Sequence, residues 1–145
     1  MAGGYMGKIL RVDLSRRAVQ DEPLPDESVL RRWVGGTGLG LHYLWHETNP
    51  QMQATDAAAP VIFMTGPLTG TAAPSSGHYA TVHLHYSIPY AAAMGHASGY
   101  WGAYLKFAGY DGIIVKGVSQ QPVYLWLHDG SAEIRDASHH WGKDT

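Results

Sequence analysis

The sequence contains no cysteine in 145 residues. That absence excludes disulfides, thiolate zinc sites and cysteine-ligated iron–sulfur clusters within the chain. Charge is also scarce: Asp, Glu, Lys and Arg make up 15% of residues, and the formal net charge is −2. The densest basic spots are the pairs Arg16-Arg17 and Arg31-Arg32, so neither nucleic acid nor an anionic membrane surface is an expected partner. No apolar run approaches the ~20 residues of a membrane span, and the N-terminus shows no apolar signal region. A cytoplasmic location is the default expectation. Glycine, by contrast, is abundant. Eighteen glycines and eight prolines are spread along the chain, which implies many turns and an irregular, β-rich scaffold. With 45% hydrophobic residues the chain is expected to fold, and its length fits one domain burying roughly two-thirds of its unfolded surface.

Periodicity places the elements. Lys8 to Leu14 alternates as a strand, Ser15 to Arg17 turns, and Ala18 to Glu22 returns as its partner. Asp26 is an expected N-cap for a short helix whose apolar face is Val29, Leu30 and Trp33. Gly35 to Gly38 breaks it, and Leu39 to Glu47 resumes helically with Leu41, Leu44 and Trp45 at helical spacing. Val61 to Met64 reads as a short buried strand, Tyr79 to Tyr86 and Ala91 to Met94 as further strands, and Ile113 to Lys116 as another. A helix is expected to open at about Ala103. Val123 to Leu127 and Ala132 to Arg135 form a hairpin around Asp129-Gly130. The result is one β-rich α+β unit. Asp144 and Thr145 are of the type that begins a helix, so the chain reads as cut, with a segment expected beyond it.

Two glycine-rich loops, Gly66 to Gly77 and Gly95 to Gly102, each follow an apolar segment. Glycine lets backbone N–H groups approach an anion without a Cβ clash, which suits a phosphate-bearing ligand. Neither loop matches the dinucleotide or P-loop fingerprint.

Nine histidines raise the question of metal. His42 and His46 are spaced to share a helix face, and His83 and His85 a strand face. A zinc-binding β-domain is therefore a third, remote reading. His78 and His96 are better candidates because they sit on the glycine loops. Phe107 and Tyr110 read as core, Tyr100 and Trp101 are open between core and pocket, and Asp111 reads as a turn residue before Gly112. No paired carboxylates or Ser-His-Asp set can be assembled, so no catalytic base is nominated.

Six segments in order carry a resemblance: GGYMGKILRVDLS, WVGGTGL, IFMTGPLTGTAAPSSG, GYWGAYLKFAGYDGIIVKG, PVYLW and EIRDASHHWGKDT. Together they resemble the N-terminal domain of the tungsten-containing aldehyde:ferredoxin oxidoreductases. The resemblance implies an α+β, β-rich domain with short helices packed on twisted sheets, forming the base for a bis-pterin tungsten or molybdenum cofactor. On that basis residues 1–145 are an N-terminal pterin-cofactor-binding domain, itself incomplete. Helical domains further along would carry the [4Fe–4S] cluster that this cysteine-free chain cannot hold. The implied reaction is oxidation of an aldehyde to a carboxylic acid, with electrons passing through the cluster to ferredoxin. Implied cofactor contacts are Gly77, His78, His96, Ala97, Ser98 and Gly99. The family usually places arginine where His78 stands and asparagine where His96 stands. The implied partners are the remainder of the oxidoreductase or a separate subunit carrying it, ferredoxin, an aldehyde and, as one option, a second copy. The isolated chain is expected to be inactive. The alternative is a non-catalytic binding or assembly module that keeps the fold but not the cofactor, a reading that His78 and His96 favour.

Overall fold

Strict alternation in Lys8–Asp13 places Ile9 on one side of a strand and Leu10 and Val12 on the other, and both sides are buried. A strand buried on both faces belongs in the middle of a sheet. The computed structural model, which describes residues 3–144, puts it there. The described elements, in order, are β1 (Lys8–Asp13), β2 (Ala18–Pro23), α1 (Glu27–Trp33), α2 (Gly36–Glu47), β3 (Val61–Thr65), β4 (Tyr79–Leu84), β5 (Ala92–Ala97), α3 (Trp101–Phe107), β6 (Gly112–Lys116), β7 (Val123–His128) and β8 (Ser131–Asp136). Six strands form one sheet in the order β2-β1-β6-β3-β4-β5, and β7 and β8 pair separately. Only β1 and β6 run parallel; the other pairs are antiparallel. The mixed α+β class is the expected one. Thr145 lies outside the described residues.

Each sheet face has its own core. Ile9, Ile62, Met64, Val82 and Ile114 pack against Leu30 of α1 and Leu39, Tyr43 and Leu44 of α2. On the opposite face Leu10, Val12 and Ile113 meet Leu105 of α3, Tyr110 and the inner side of the β7–β8 hairpin. That hairpin turns on Asp129 and Gly130, both with positive φ, as the Asp-Gly pair predicts.

Several local expectations shift. Asp26 occupies the N-cap of α1, but its carbonyl, not its side chain, receives the first amides, those of Val29 and Leu30. The break between α1 and α2 is only Val34 and Gly35; Gly36 to Gly38 are already helical because α2 docks on β3 and β4. That docking buries Leu39, Tyr43 and Leu44 and turns Trp45 outward, 81% exposed. Strand β5 runs through His96 and Ala97, where a loop was expected, because these residues pair with Ala80 and Tyr79 across the ladder. Helix α3 then opens at Trp101, two residues earlier than the pattern suggested. Tyr110 is core, whereas Phe107 is 66% exposed. The reason is that α3 buries Gly102, Leu105 and Lys106, which leaves Phe107 on the outer side.

Asp111 is no mere turn residue. Its carboxylate is buried and paired with Lys106 Nζ at 2.6 Å. Among the described residues no helix is long and apolar enough to cross a membrane.

Candidate functional site

Thr65, Tyr79 and Ala97 stand side by side at one end of the sheet, since β3 pairs with β4 and β4 with β5 in antiparallel register. The loop leaving β3 and the N-terminus of α2 meet at the same end. Between them lies a concavity of about 360 Å³, walled by Val34 to Thr37, Gly66 to Thr69, Ser75, Ser76, His78 to Ala80 and His96.

The walls are held by close backbone approach. A Cβ on Gly35 would sit 2.8 Å from the Thr65 carbonyl oxygen, so only glycine lets the α1–α2 junction touch the end of β3. Gly77 is equally confined, with a Cβ there meeting Gly99 O at 2.4 Å; the two glycine-rich stretches cross at this point. The Gly66–Gly77 loop is also tied internally. Thr69 Oγ1 accepts the Gly66 amide and donates to the His78 carbonyl, both at 3.0 Å. Gly70 N–H bonds Ser76 O, and Ser76 Oγ bonds Thr71 O. Such a loop is a shaped surface, not a slack connection.

The electrostatics favour an anion. Helix α2 starts inside the cavity wall, and no side chain caps its first amides. Uncapped N–H groups and the positive end of a twelve-residue helix are therefore directed to this region. His78 Nδ1 lies 2.9 Å from Ser75 O. A carbonyl only accepts, so Nδ1 carries a proton and Nε2 is left for a ligand. His96 Nε2 pairs with Thr37 Oγ1 at 2.9 Å, which joins the edge strand to the start of α2. No lysine, arginine or carboxylate is among the lining residues. The cavity is equipped to hold an anionic group through amides, hydroxyls and imidazoles.

The residues singled out from sequence fall in three places. His78 and His96 line the cavity together. Gly77 and Gly99 make the backbone crossing beneath it. Ala97 is the last ladder residue of β5, and Ser98 is exposed beyond it. Sequence reasoning missed Gly35, Gly36 and Thr37, read only as a helix break, although a Gly-Gly-Thr-Gly run before an apolar helix was the available signal.

The remaining histidines have local roles. His85 Nδ1 accepts the amides of Ser87 and Ile88 in the β4–β5 turn, and His83 Nδ1 is bonded to Leu84 O. His42 and His46 stack at 4.4 Å, with the Nδ1 of His46 on the carbonyl of His42. Burial and the neighbouring His46 push the His42 imidazole below its ordinary value of 6.5. Among the described residues no three metal-ligating side chains gather.

Comparison with known proteins agrees with this architecture. A family model described as "Aldehyde ferredoxin oxidoreductase, N-terminal domain" matches residues 9–145. The tungsten-containing aldehyde ferredoxin oxidoreductase of Pyrococcus abyssi is 44% identical over 140 residues, covering 97% of this chain and 23% of that protein. An aliphatic sulfonate oxidoreductase, WOR-like subunit, of Pyrococcus furiosus is 39% identical over 141 residues and is matched over 22% of its length. Among solved structures, a chain of the active site complex BamBC of benzoyl coenzyme A reductase in complex with 1,5-dienoyl-CoA superposes with a TM-score of 0.93 at 31% identity. That match covers 99% of this chain and 22% of the other. The chain thus spans less than a quarter of the length of these relatives. A match over nearly all its residues, joined to the same fold, establishes that it belongs to the aldehyde ferredoxin oxidoreductase N-terminal domain family.

Proposed function

We propose that the cavity is this chain's share of the site for a pterin cofactor carrying tungsten or molybdenum. The whole protein would be an oxidoreductase that converts aldehydes to carboxylic acids and delivers the electrons to ferredoxin. The observation that carries the reading is the uncapped N-terminus of α2 facing a glycine-walled concavity that also holds His78 and His96. Its donors suit a phosphate, and its open, partly apolar wall suits a flat ring system beside it.

When bound, the metal–pterin group supplies the two-electron chemistry. This chain's residues bind and orient it. The amides of Gly36 and Thr37 at the start of α2 would take the phosphate, His78 would offer Nε2, and His96, bonded to Thr37, would hold that residue in register. Cysteine ligands for a [4Fe–4S] cluster must come from polypeptide outside this sequence, because it has none.

A second reading, a binding or assembly module without cofactor, draws on one observation: the lining contains no arginine or lysine to offset a phosphate charge. Co-expression with a polypeptide carrying the remainder of a relative separates the two. Tungsten or molybdenum with pterin in the purified complex, lowered at least tenfold by a combined H78A and T37A change, is the expected result. A stable complex free of both metal and pterin would establish the module reading instead. Aldehyde-dependent viologen reduction by this chain alone would overturn the division of labour.

A further inference from the structure

The N-terminal strap, Gly4 to Gly7, passes beside the cavity, and three of its backbone groups are held by two buried charges. Lys106 and Asp111 are 5% and 2% exposed. Asp111 Oδ2 accepts the amides of Met6 and Gly7, each at 2.8 Å. Its Oδ1 receives Lys106 Nζ at 2.6 Å, and the same ammonium donates to Gly4 O at 2.6 Å. The backbone of Asp111 is engaged too. Its carbonyl accepts both the amide and the hydroxyl of Thr65, the residue that precedes the glycine loop.

The strap touches both cavity walls. Gly4, at φ +90°, lies so close to Pro67 that a Cβ would sit 2.5 Å from the Pro67 carbonyl oxygen. Tyr5 Oη donates to the carbonyl of Val34, on the opposite wall. Pro67 and Val34 both line the concavity. Burying an ion pair costs desolvation, and here the pair is compensated by the strap groups it satisfies, the Gly4 carbonyl and the Met6 and Gly7 amides.

We infer that the Lys106–Asp111 pair is a positioning device: through the strap it sets the separation of the Val34–Thr37 and Gly66–Thr69 walls, and so the fit of the anionic ligand. The ligand half of this statement rests on the cofactor reading above; the wall-positioning half does not.

Amide hydrogen exchange on the full chain tests it. In D111N, which keeps the shape but removes the charge and sets an NH2 donor against one of the donors that Asp111 accepts, the bonded amides of Gly35, Thr69 and Gly70 should exchange about tenfold faster. Those of Tyr124 and Trp126, bonded across the β7–β8 hairpin, should not change. Faster exchange confined to Met6 and Gly7 would overturn the proposal, as would equal acceleration everywhere, which is global destabilisation. If D111N does not fold, Y5F reads the coupling from the strap's other end. It removes one bond to Val34 O, and an unchanged Gly35 amide in that variant overturns the proposal. Titration with inorganic phosphate then addresses the ligand. Shifts at Thr37 and His96 that weaken several-fold in D111N or Y5F support the full statement. No phosphate response in the unmodified chain counts against the cofactor reading, while the exchange result still decides the wall-positioning claim.

Discussion

The two faces of the central sheet both carry an apolar core but differ in the charges they bury. Under α1 and α2 the core cluster is apolar apart from the Tyr43 hydroxyl, and at its margin the largely buried Glu47 carboxylate of α2 meets Arg11 and Lys116. Under α3 the core is again apolar but gains a buried charge pair. The helix buries Lys106 beside Asp111 and shows Tyr100, Tyr104 and Phe107 to the outside. The first face is what packing alone would select. The second departs from that pattern next to the cavity, where a sequence is expected to depart from it for a reason other than stability. The lesson is that the site draws on both faces of one sheet: the start of α2 supplies a wall of the cavity, and the α3 side supplies the buried pair that holds the strap against the walls.

The largest expected effect breaks the α3 face. Asp111→Ala strands the Lys106 ammonium and leaves the Met6 and Gly7 amides without acceptors. It should cost about 3–5 kcal/mol in urea denaturation, and K106M/D111L together should recover only the part due to the stranded ammonium, since the Met6 and Gly7 amides still lack an acceptor. If the single change costs under about 1 kcal/mol, the two faces do not differ as described. Next, Ile62→Ala on the α2 face should cost about 3 kcal/mol by leaving a cavity among fully buried neighbours, without shifting the resonances of His78.

The third test goes the other way. Tyr43 Oη is buried without a hydrogen-bond partner, so Tyr43→Phe should leave stability unchanged or raise it by about 1 kcal/mol. Burial pushes the Tyr43 hydroxyl up to about 12 from 10.0. The unfolded chain thus loses this proton first, so stability falls as pH rises from about 10 to about 12, and the phenylalanine variant should lack that component. A weaker pH effect is expected at His42. Its lowered value means that the unfolded chain takes up the proton first, so stability declines as pH drops below 6.5, and His42→Gln should flatten that slope. The smallest effect is Tyr104→Ala, within about 0.5 kcal/mol because the ring is 66% exposed; a larger loss would mean that the aromatic face of α3 is packed in solution.

Legibility in the sequence followed locality. The β1–β2 and β7–β8 hairpins were readable because turn residues and alternation lie within a few positions of each other. The helical face of α2 was only partly readable: Leu44 packs as its spacing suggests, while Trp45 faces water because the sheet admits only a narrow stripe. Phe107 was misread for a related reason. An aromatic residue in a short helix says nothing of which side meets the core when the buried side carries lysine. At the site, His78 and His96 were visible as histidines on glycine-rich stretches, but Thr37 was not, being 59 residues from its partner His96.

By itself the sequence determined composition-level limits, the strand and helix periods, the tight turns and the family. All of these are written in short-range patterns of residue type, and the family in their order. The tertiary structure decided which face of α3 is buried, that Asp111 is a hub and not a turn residue, and that the start of α2 and the Gly66–Gly77 loop form one cavity. Those outcomes depend on contacts between segments tens of residues apart. Only closure of the β3–β4–β5 ladder beneath α2, and of the strap onto Asp111, brings such segments together.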